Sequence, residues 1–364
     1  GYEPAEGNAF KYHGVGKFDK VTGELAPKSK GRPAYTKIFG DTMIELAEKD
    51  DKVIAITAAM SSGTGLVEYS DKFPERFFDV GIAEAHAGCF AAGLAAEGMK
   101  PYLAIYSTFL QRAYDQVIHD IALQKLPVVF CMDRAGIVGN DGPTHHGVFD
   151  LSYFSTVPNV VVCAPKDGNE MRSMMHYTAD NKIDGPVAIR YPRENTPTDM
   201  TEAIAPIEWG KWDAESIDTD VIILAVGTMV DTAYKAVEVL NEDGDEISVV
   251  NARFVKPFDA EMLAKIKDRA KVLITIEENQ LRGGFGQAIA EYLISNDYDG
   301  KFKAIAIPDG FVNHGNRDLL LKDVKLDLDS IVSTIQDFIA DSSGSSGFFQ
   351  KLRLKRNGIS KKVS

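Results

Sequence analysis

The stretch Phe77-Phe78-Asp79-Val80-Gly81-Ile82-Ala83-Glu84-Ala85-His86-Ala87-Gly88-Cys89-Phe90-Ala91-Ala92-Gly93-Leu94-Ala95-Ala96-Glu97 decides the fold. Its opening, 77–82, is a short apolar run that reads as a strand. It passes without a break into small residues that read as a helix over 84–97. The next apolar run, 102–106, reads as a second strand. Strand, helix, strand in this order is a βαβ unit, and its two strands lie parallel.

The same rhythm extends in both directions. Ile38, Met43, Ile44 and Ala47 make a helical stripe starting near Ala34. Further strands are expected at 53–57, 127–132, 160–164 and 187–191, with helices at 108–125 and 167–180. Near-continuous apolar strands between helices mean a sheet covered on both faces. Residues 194–216 break the rhythm with Pro197, Pro206 and mixed charge. A second series follows, with strands at 221–226, 247–252, 272–277 and 304–307. Its helices fall near 229–242, 259–269, 284–296 and 328–340. The expected fold class is therefore α/β, two tandem domains with mainly parallel sheets covered by helices. The expected limits are a linker over 1–33, a first domain over 34–195, a linker over 196–216 and a second domain over 217–340. A flexible basic tail covers 341–364.

Composition narrows the function. The chain has 364 residues, 40 Lys and Arg against 53 Asp and Glu, and a formal net charge of −13. That balance lacks the basic field of a nucleic-acid binder. The apolar runs are too short to span a bilayer, so no membrane segment is expected. The three cysteines, Cys89, Cys131 and Cys163, form no metal spacing and no disulfide framework. A reducing, cytoplasmic setting fits them. After the Ser/Gly run 342–347, the tail carries about +6 with Phe348, Phe349, Leu352 and Leu354 interleaved. It reads as a solvated tail or as a contact with an anionic surface. The chain opens on Gly1 rather than Met, and an upstream part is expected.

Four segments carry polar residues that a fold alone would not ask for. Glu84 falls where a strand meets a helix, the edge at which parallel sheets bind ligands. A carboxylate there serves either as a helix-capping group or as a partly desolvated functional group. In Tyr106-Ser107-Thr108-Phe109-Leu110-Gln111-Arg112, Thr108 is a plausible cap. Tyr106, Phe109 and Arg112 are three apart and share a face. They suit a flat heterocycle and an anion, or Phe109 is simply core. The loop 133–147 gathers Arg134, Asp141, His145 and His146 among four glycines, a density more typical of function than of structure. Arg190-Tyr191-Pro192-Arg193 ends the first domain with two guanidinium forks suited to phosphate or carboxylate.

These motifs resemble the 1-deoxy-D-xylulose-5-phosphate synthase family of the transketolase superfamily. The resemblance rests on Tyr12-His13-Gly14, residues 78–84, 105–116 and 133–147, and Tyr191-Pro192-Arg193. Arg253-Phe254-Val255-Lys256-Pro257 and residues 277–286 carry it into the second domain. It implies thiamine diphosphate with Mg²⁺ as cofactors. It also implies condensation of pyruvate, with loss of CO2, and D-glyceraldehyde 3-phosphate to 1-deoxy-D-xylulose 5-phosphate, a step of isoprenoid biosynthesis. The family's metal-binding Gly-Asp-Gly does not occur here, and Asp243-Gly244-Asp245 is not it. The expectation is that the N-terminal diphosphate-binding domain is missing, no metal ligand lies in this chain, and the chain alone is inactive. Ala85 stands where many relatives carry Gln.

By the same resemblance, Glu84 is the carboxyl that protonates the cofactor's pyrimidine, and Phe109 and Ile82 contact that ring. Arg134, Arg193 and Arg112 face the substrate phosphate. Tyr106, Asp141 and His145 orient substrates and move protons. Relatives pair as homodimers, and the glycines of 277–286 suit close packing against a neighbour, or else only shape a βα turn. The alternatives are a pyruvate dehydrogenase E1 beta-type subunit, against which the 133–147 loop and Tyr12-His13-Gly14 speak, and a non-catalytic assembly fragment. A nicotinamide enzyme is disfavoured because no G-x-G-x-x-G follows a strand.

Overall fold

The computed structural model describes residues 1–9, 12, 15–25, 31–180, 183–241 and 246–341. His13, Gly14, Asp243-Gly244-Asp245 and the 342–364 tail lie outside the described residues. Residues Gly1–Arg32 and those from Pro33 onward form two separate compact units. The first was expected to be a plain linker. It contains a short helix, Glu3–Gly7, and an aromatic cluster in which Tyr12 meets Tyr2 and Phe18 edge-on. Asp19 Oδ1 accepts from the backbone N–H groups of Val21 and Thr22, closing a turn there.

The larger unit is built on two sheets. In chain order the strands are β1 Val53–Thr57, β2 Phe77–Asp79, β3 Lys100–Tyr106, β4 Val129–Asp133, β5 Val161–Cys163 and β6 Val187–Arg190. There follow β7 Asp213–Ala214, β8 Val221–Ala225, β9 Ile247–Asn251, β10 Phe254–Lys256, β11 Val272–Gln280 and β12 Lys301–Ile307. The first sheet runs β10-β5-β6-β4-β3-β1-β2 and the second β12-β11-β8-β9-β7. Every pair is parallel except β10 with β5 and β7 with β9. Strands β1, β4, β6, β8, β9 and β11 are buried along their whole length. That is why their sequences show mostly continuous apolar runs instead of alternation.

Two features depart from the sequence expectation. The helix expected over 108–125 is a chain of short turns: Ser107–Leu110, a 3₁₀ turn at Gln111–Ala113, Tyr114–Gln116 and a π-helical stretch at Val117–Ala122. Such π segments cluster at functional sites. Thr108 does not cap it. Its Oγ1 donates to the Thr144 carbonyl at 3.2 Å. The second departure is β10, which leaves the 221–256 segment and joins the first sheet antiparallel to β5. One apolar core accordingly includes both Val162 of β5 and Phe254 of β10. In the first sheet the chain passes from β1 out to β2 and back to β3 on the other side of β1. The order reverses there, and the carboxyl ends of these strands form the crevice where α/β sheets bind ligands.

Candidate functional site

That crevice collects nearly every residue singled out in the sequence. β2 ends at Asp79, whose Oδ1 accepts from the Ala59 and Gly81 N–H groups at 2.7 and 3.0 Å. Gly81 takes φ +71°, a value only glycine adopts freely. The turn delivers Glu84 to the first residue of helix Glu84–Ala96. Glu84 is 3% exposed. Its Oε1 accepts from Arg112 Nη1 at 2.6 Å. Glu84 does not cap this helix, whose N-cap residue is Ala83 with no side-chain cap hydrogen bond, although the N-terminal dipole still favours a carboxylate at this place. Ile82, two residues earlier, is 78% exposed, so this large apolar side chain faces outward at the mouth of the crevice.

Arg112 connects Glu84 to an aromatic row. Its guanidinium lies 4.9 Å from the Phe109 ring centroid. Phe109 stacks on Tyr106 at 5.8 Å and meets the His145 ring edge-on at 5.2 Å. Tyr106, Phe109 and Arg112 therefore share one face, as their spacing implies. Phe109 is partly buried against the core and still has ring contacts on its outer side. Burial pushes the Tyr106 phenol above its usual range, against the opposing pull of Arg134.

The loop after β4 adds the cations. Tyr106 pairs in register with Asp133, so Arg134 arrives beside it. Arg134 adopts φ +61°, strained for a non-glycine residue. Its guanidinium sits 4.0 Å from the Tyr106 ring centroid. It is held by Asp133 Oδ1 at 2.9 Å and by the Gly63 carbonyl. Asp133, which sequence reading passed over, is fully buried and also accepts from Thr36 Oγ1 at 2.9 Å. Burial raises its carboxyl above the usual range, with Arg134 opposing. Arg193 pairs with Asp141 across the loop mouth. His145 Nδ1 lies 2.9 Å from Thr144 Oγ1. The four groups Arg134, Asp141, His145 and Arg193 thus belong to one loop-and-strand-end cluster beside the aromatic row.

One expectation is corrected by the packing. Arg190 does not offer a free fork. Its Nε donates to Asp150 Oδ1 and Oδ2 at 3.1 and 2.9 Å, with both residues buried. Ser107 Oγ donates to the same carboxylate at 3.0 Å. The glycines of 277–286 work within the chain. Glu277 Oε2 and Oε1 accept from the Phe285 and Gly286 N–H groups, each at 2.8 Å. A Cβ at Gly284 would stand 2.6 Å from that carboxylate, and Gly283 lies against Ser152. Within the chain they shape a βα turn. Among the described residues no group of three or more His, Cys, Asp or Glu side chains could hold a metal ion. No helix among them is long and apolar enough to cross a membrane.

Glu277 gives a pH prediction. Burial pushes its carboxyl from the usual 4.5 up to about 7. The folded state then binds this proton more tightly than the unfolded chain. The resulting stability is complete below about pH 4.5 and is lost as pH rises through about 7. Between pH 5 and pH 8 the wild-type chain should lose about 2–3 kcal/mol more unfolding free energy than Glu277→Gln. Denaturant titrations of both at the two pH values check this; parallel losses would mean the carboxyl is ionised throughout.

Residues 32–199 match the family model described as "Transketolase, pyrimidine binding domain", and residues 210–331 match "Transketolase, C-terminal domain". The chain belongs to the transketolase family. Among curated relatives of this transketolase-family chain, the 1-deoxy-D-xylulose-5-phosphate synthase of Aquifex aeolicus is 50% identical over 340 residues. The alignment covers 93% of this chain and 53% of that one. 1-Deoxy-D-xylulose-5-phosphate synthase 1 of Geobacter sulfurreducens is 51% identical over 344 residues, covering 93% and 53%. The chain spans about half the length of the curated relatives it matches. A solved structure described as "Split gene transketolase, inactive beta4 tetramer" superposes with a TM-score of 0.75 at 29% identity. That superposition covers 85% of this chain and 98% of the other.

Proposed function

We propose that these two domains, with limits at 34–195 and 217–340, supply the pyrimidine-binding half of a thiamine-diphosphate-dependent synthase. The enzyme joins pyruvate, with loss of CO2, to D-glyceraldehyde 3-phosphate. The relatives at about half identity over 93% of the chain carry the name of that activity. The observation that carries the reading is a carboxyl, Glu84, buried at the carboxyl edge of the sheet and linked through Arg112 to the face of Phe109. This set fits an aminopyrimidine: a carboxyl for a ring nitrogen, a ring for its face, and exposed Ile82 for an apolar edge. When bound, the cofactor supplies the carbon nucleophile that the substrates' carbonyl groups require. With it bound, Glu84 would hold a proton at pyrimidine nitrogen N1′. His145 and Tyr106 orient the carbonyl oxygens beside Phe109, and Asp141 holds Arg193 at the loop mouth. The diphosphate and its Mg²⁺ are assigned to a part of the enzyme outside these two domains. The reading includes a homodimer, as the resemblance implies, in a reducing cytoplasmic setting that suits the free cysteines.

Arg134 and Arg193 are the test. In the assembled enzyme, Arg134→Ala and Arg193→Ala should each raise the glyceraldehyde 3-phosphate KM, or lower its kcat/KM, about tenfold. A forked cation on a phosphate dianion contributes roughly 1.5–3 kcal/mol. Pyruvate KM should stay within about twofold, because pyruvate carries no phosphate. Equal effects on both substrates would remove the phosphate clamp.

A second reading is an assembly subunit inactive by itself. It is favoured by the likeness to the split-gene transketolase, whose superposed form is an inactive tetramer. Neither reading expects product from this polypeptide alone; in the assembled enzyme Glu84→Gln separates them, lowering kcat under the first and leaving it unchanged if the chain only assembles.

A further inference from the structure

Among the described residues the second domain gathers no metal-holding group of His, Cys, Asp or Glu, yet its residues grip the backbone of the 133–147 loop. Ile137 is the centre of the grip. Its N–H donates to Glu278 Oε1 at 2.7 Å, and its carbonyl accepts from Arg317 Nε at 3.0 Å. Arg317 Nη2 closes the triangle on Glu278 Oε1 and Oε2 at 2.9 and 2.8 Å. The Ile137 side chain, 2% exposed, packs in the second domain's apolar core with Ile276 and Leu320. Gly136 makes this approach possible, since a Cβ there would stand 2.6 Å from the Glu278 carboxyl carbon.

The grip repeats further along the loop. His146 Nδ1 accepts from the Val138 N–H at 3.0 Å, and its Nε2 donates to the Asn313 carbonyl at 2.9 Å. Gly315 N–H donates to the Gly139 carbonyl at 3.3 Å. The contacts that fix the loop are thus made by its backbone and its buried side chains. None of these second-domain contacts uses the side chains of Arg134, Asp141 or His145, which engage first-domain partners instead.

We propose that Glu278 and Arg317 are positioning residues, which fix the loop so that its cation and imidazole meet the phosphorylated acceptor. The proposal rests on the synthase reading for the acceptor and on the geometry alone for the loop. Hydrogen exchange of the full 364-residue chain reads the geometry. Arg317→Ala should raise exchange at the Ile137 and Val138 amides at least about tenfold, since a local opening that loses such bonds moves exchange by that order. Amides of β1 and β3 should keep their protection. Arg317→Lys keeps the charge but not the fork, and should fall between Ala and wild type. If Ala loosens the whole sheet, Lys decides the matter by the same loop-to-sheet comparison.

In the assembled enzyme, Arg317→Ala should raise the glyceraldehyde 3-phosphate KM about tenfold and leave pyruvate KM within about twofold. A loop whose exchange does not change with either variant overturns the positioning role. A loosened loop with an unchanged acceptor KM overturns its link to the acceptor. If the wild-type assembly does not use these substrates, the synthase reading fails while the exchange experiment still decides the grip.

Discussion

Replacing Glu84 by Gln in the complete enzyme should lower kcat by about 10²–10⁴-fold, the range for removal of a positioned acid–base group. The amide keeps the shape of the side chain. It cannot share a proton with a ring nitrogen as a carboxyl does. It also removes the charge that Arg112 now faces at 2.6 Å. Arg112 is half exposed and can turn toward water, so the fold should survive the change. Steady-state kinetics beside a thermal melt separate the two effects. A loss under about threefold with an unchanged melt would take Glu84 out of the chemistry.

The second large effect is on stability. Asp150→Asn should cost about 3–5 kcal/mol, the usual result of removing one partner from a buried ion pair. Arg190 would keep its charge with no carboxylate to answer it, and Ser107 Oγ would lose a charged acceptor. Equilibrium denaturation measures the loss. A value below about 1 kcal/mol would mean that the guanidinium finds a substitute in the Gly147 and Glu278 carbonyls, which it already reaches at 3.4 and 3.1 Å.

The two outcomes bear on how much the sequence discloses. The buried strands were legible because burial on both faces writes a nearly continuous apolar run, as in β1, β8 and the first half of β11. The aromatic row was legible because Tyr106, Phe109 and Arg112 sit three apart on one short segment, so local geometry alone brings them together. Arg190 was misread for the opposite reason. Its partner Asp150 is distant in sequence, and nothing near either residue announces the pair. Glu278 and Arg317 escaped for the same cause. Asp133 was overlooked because an acid beside Arg134 reads as loop charge until its burial is known. The 117–122 stretch keeps a helical apolar pattern while its hydrogen bonds widen to the π form, and residue spacing does not distinguish the two.

Strand β10 has a consequence for the order in which the molecule is made. The first sheet has six of its strands once synthesis passes Arg190, but its seventh begins only at Phe254. During that interval β5 presents a bare edge of unpaired N–H and C=O groups, the kind that recruits strands from other chains. The first half therefore cannot finish as an autonomous folding unit while the ribosome is still extending the second. Shared hydrogen bonds across the two halves also tie their unfolding together, so heat should melt them as one cooperative block. Any shortened version ending before Phe254 would carry that open edge permanently.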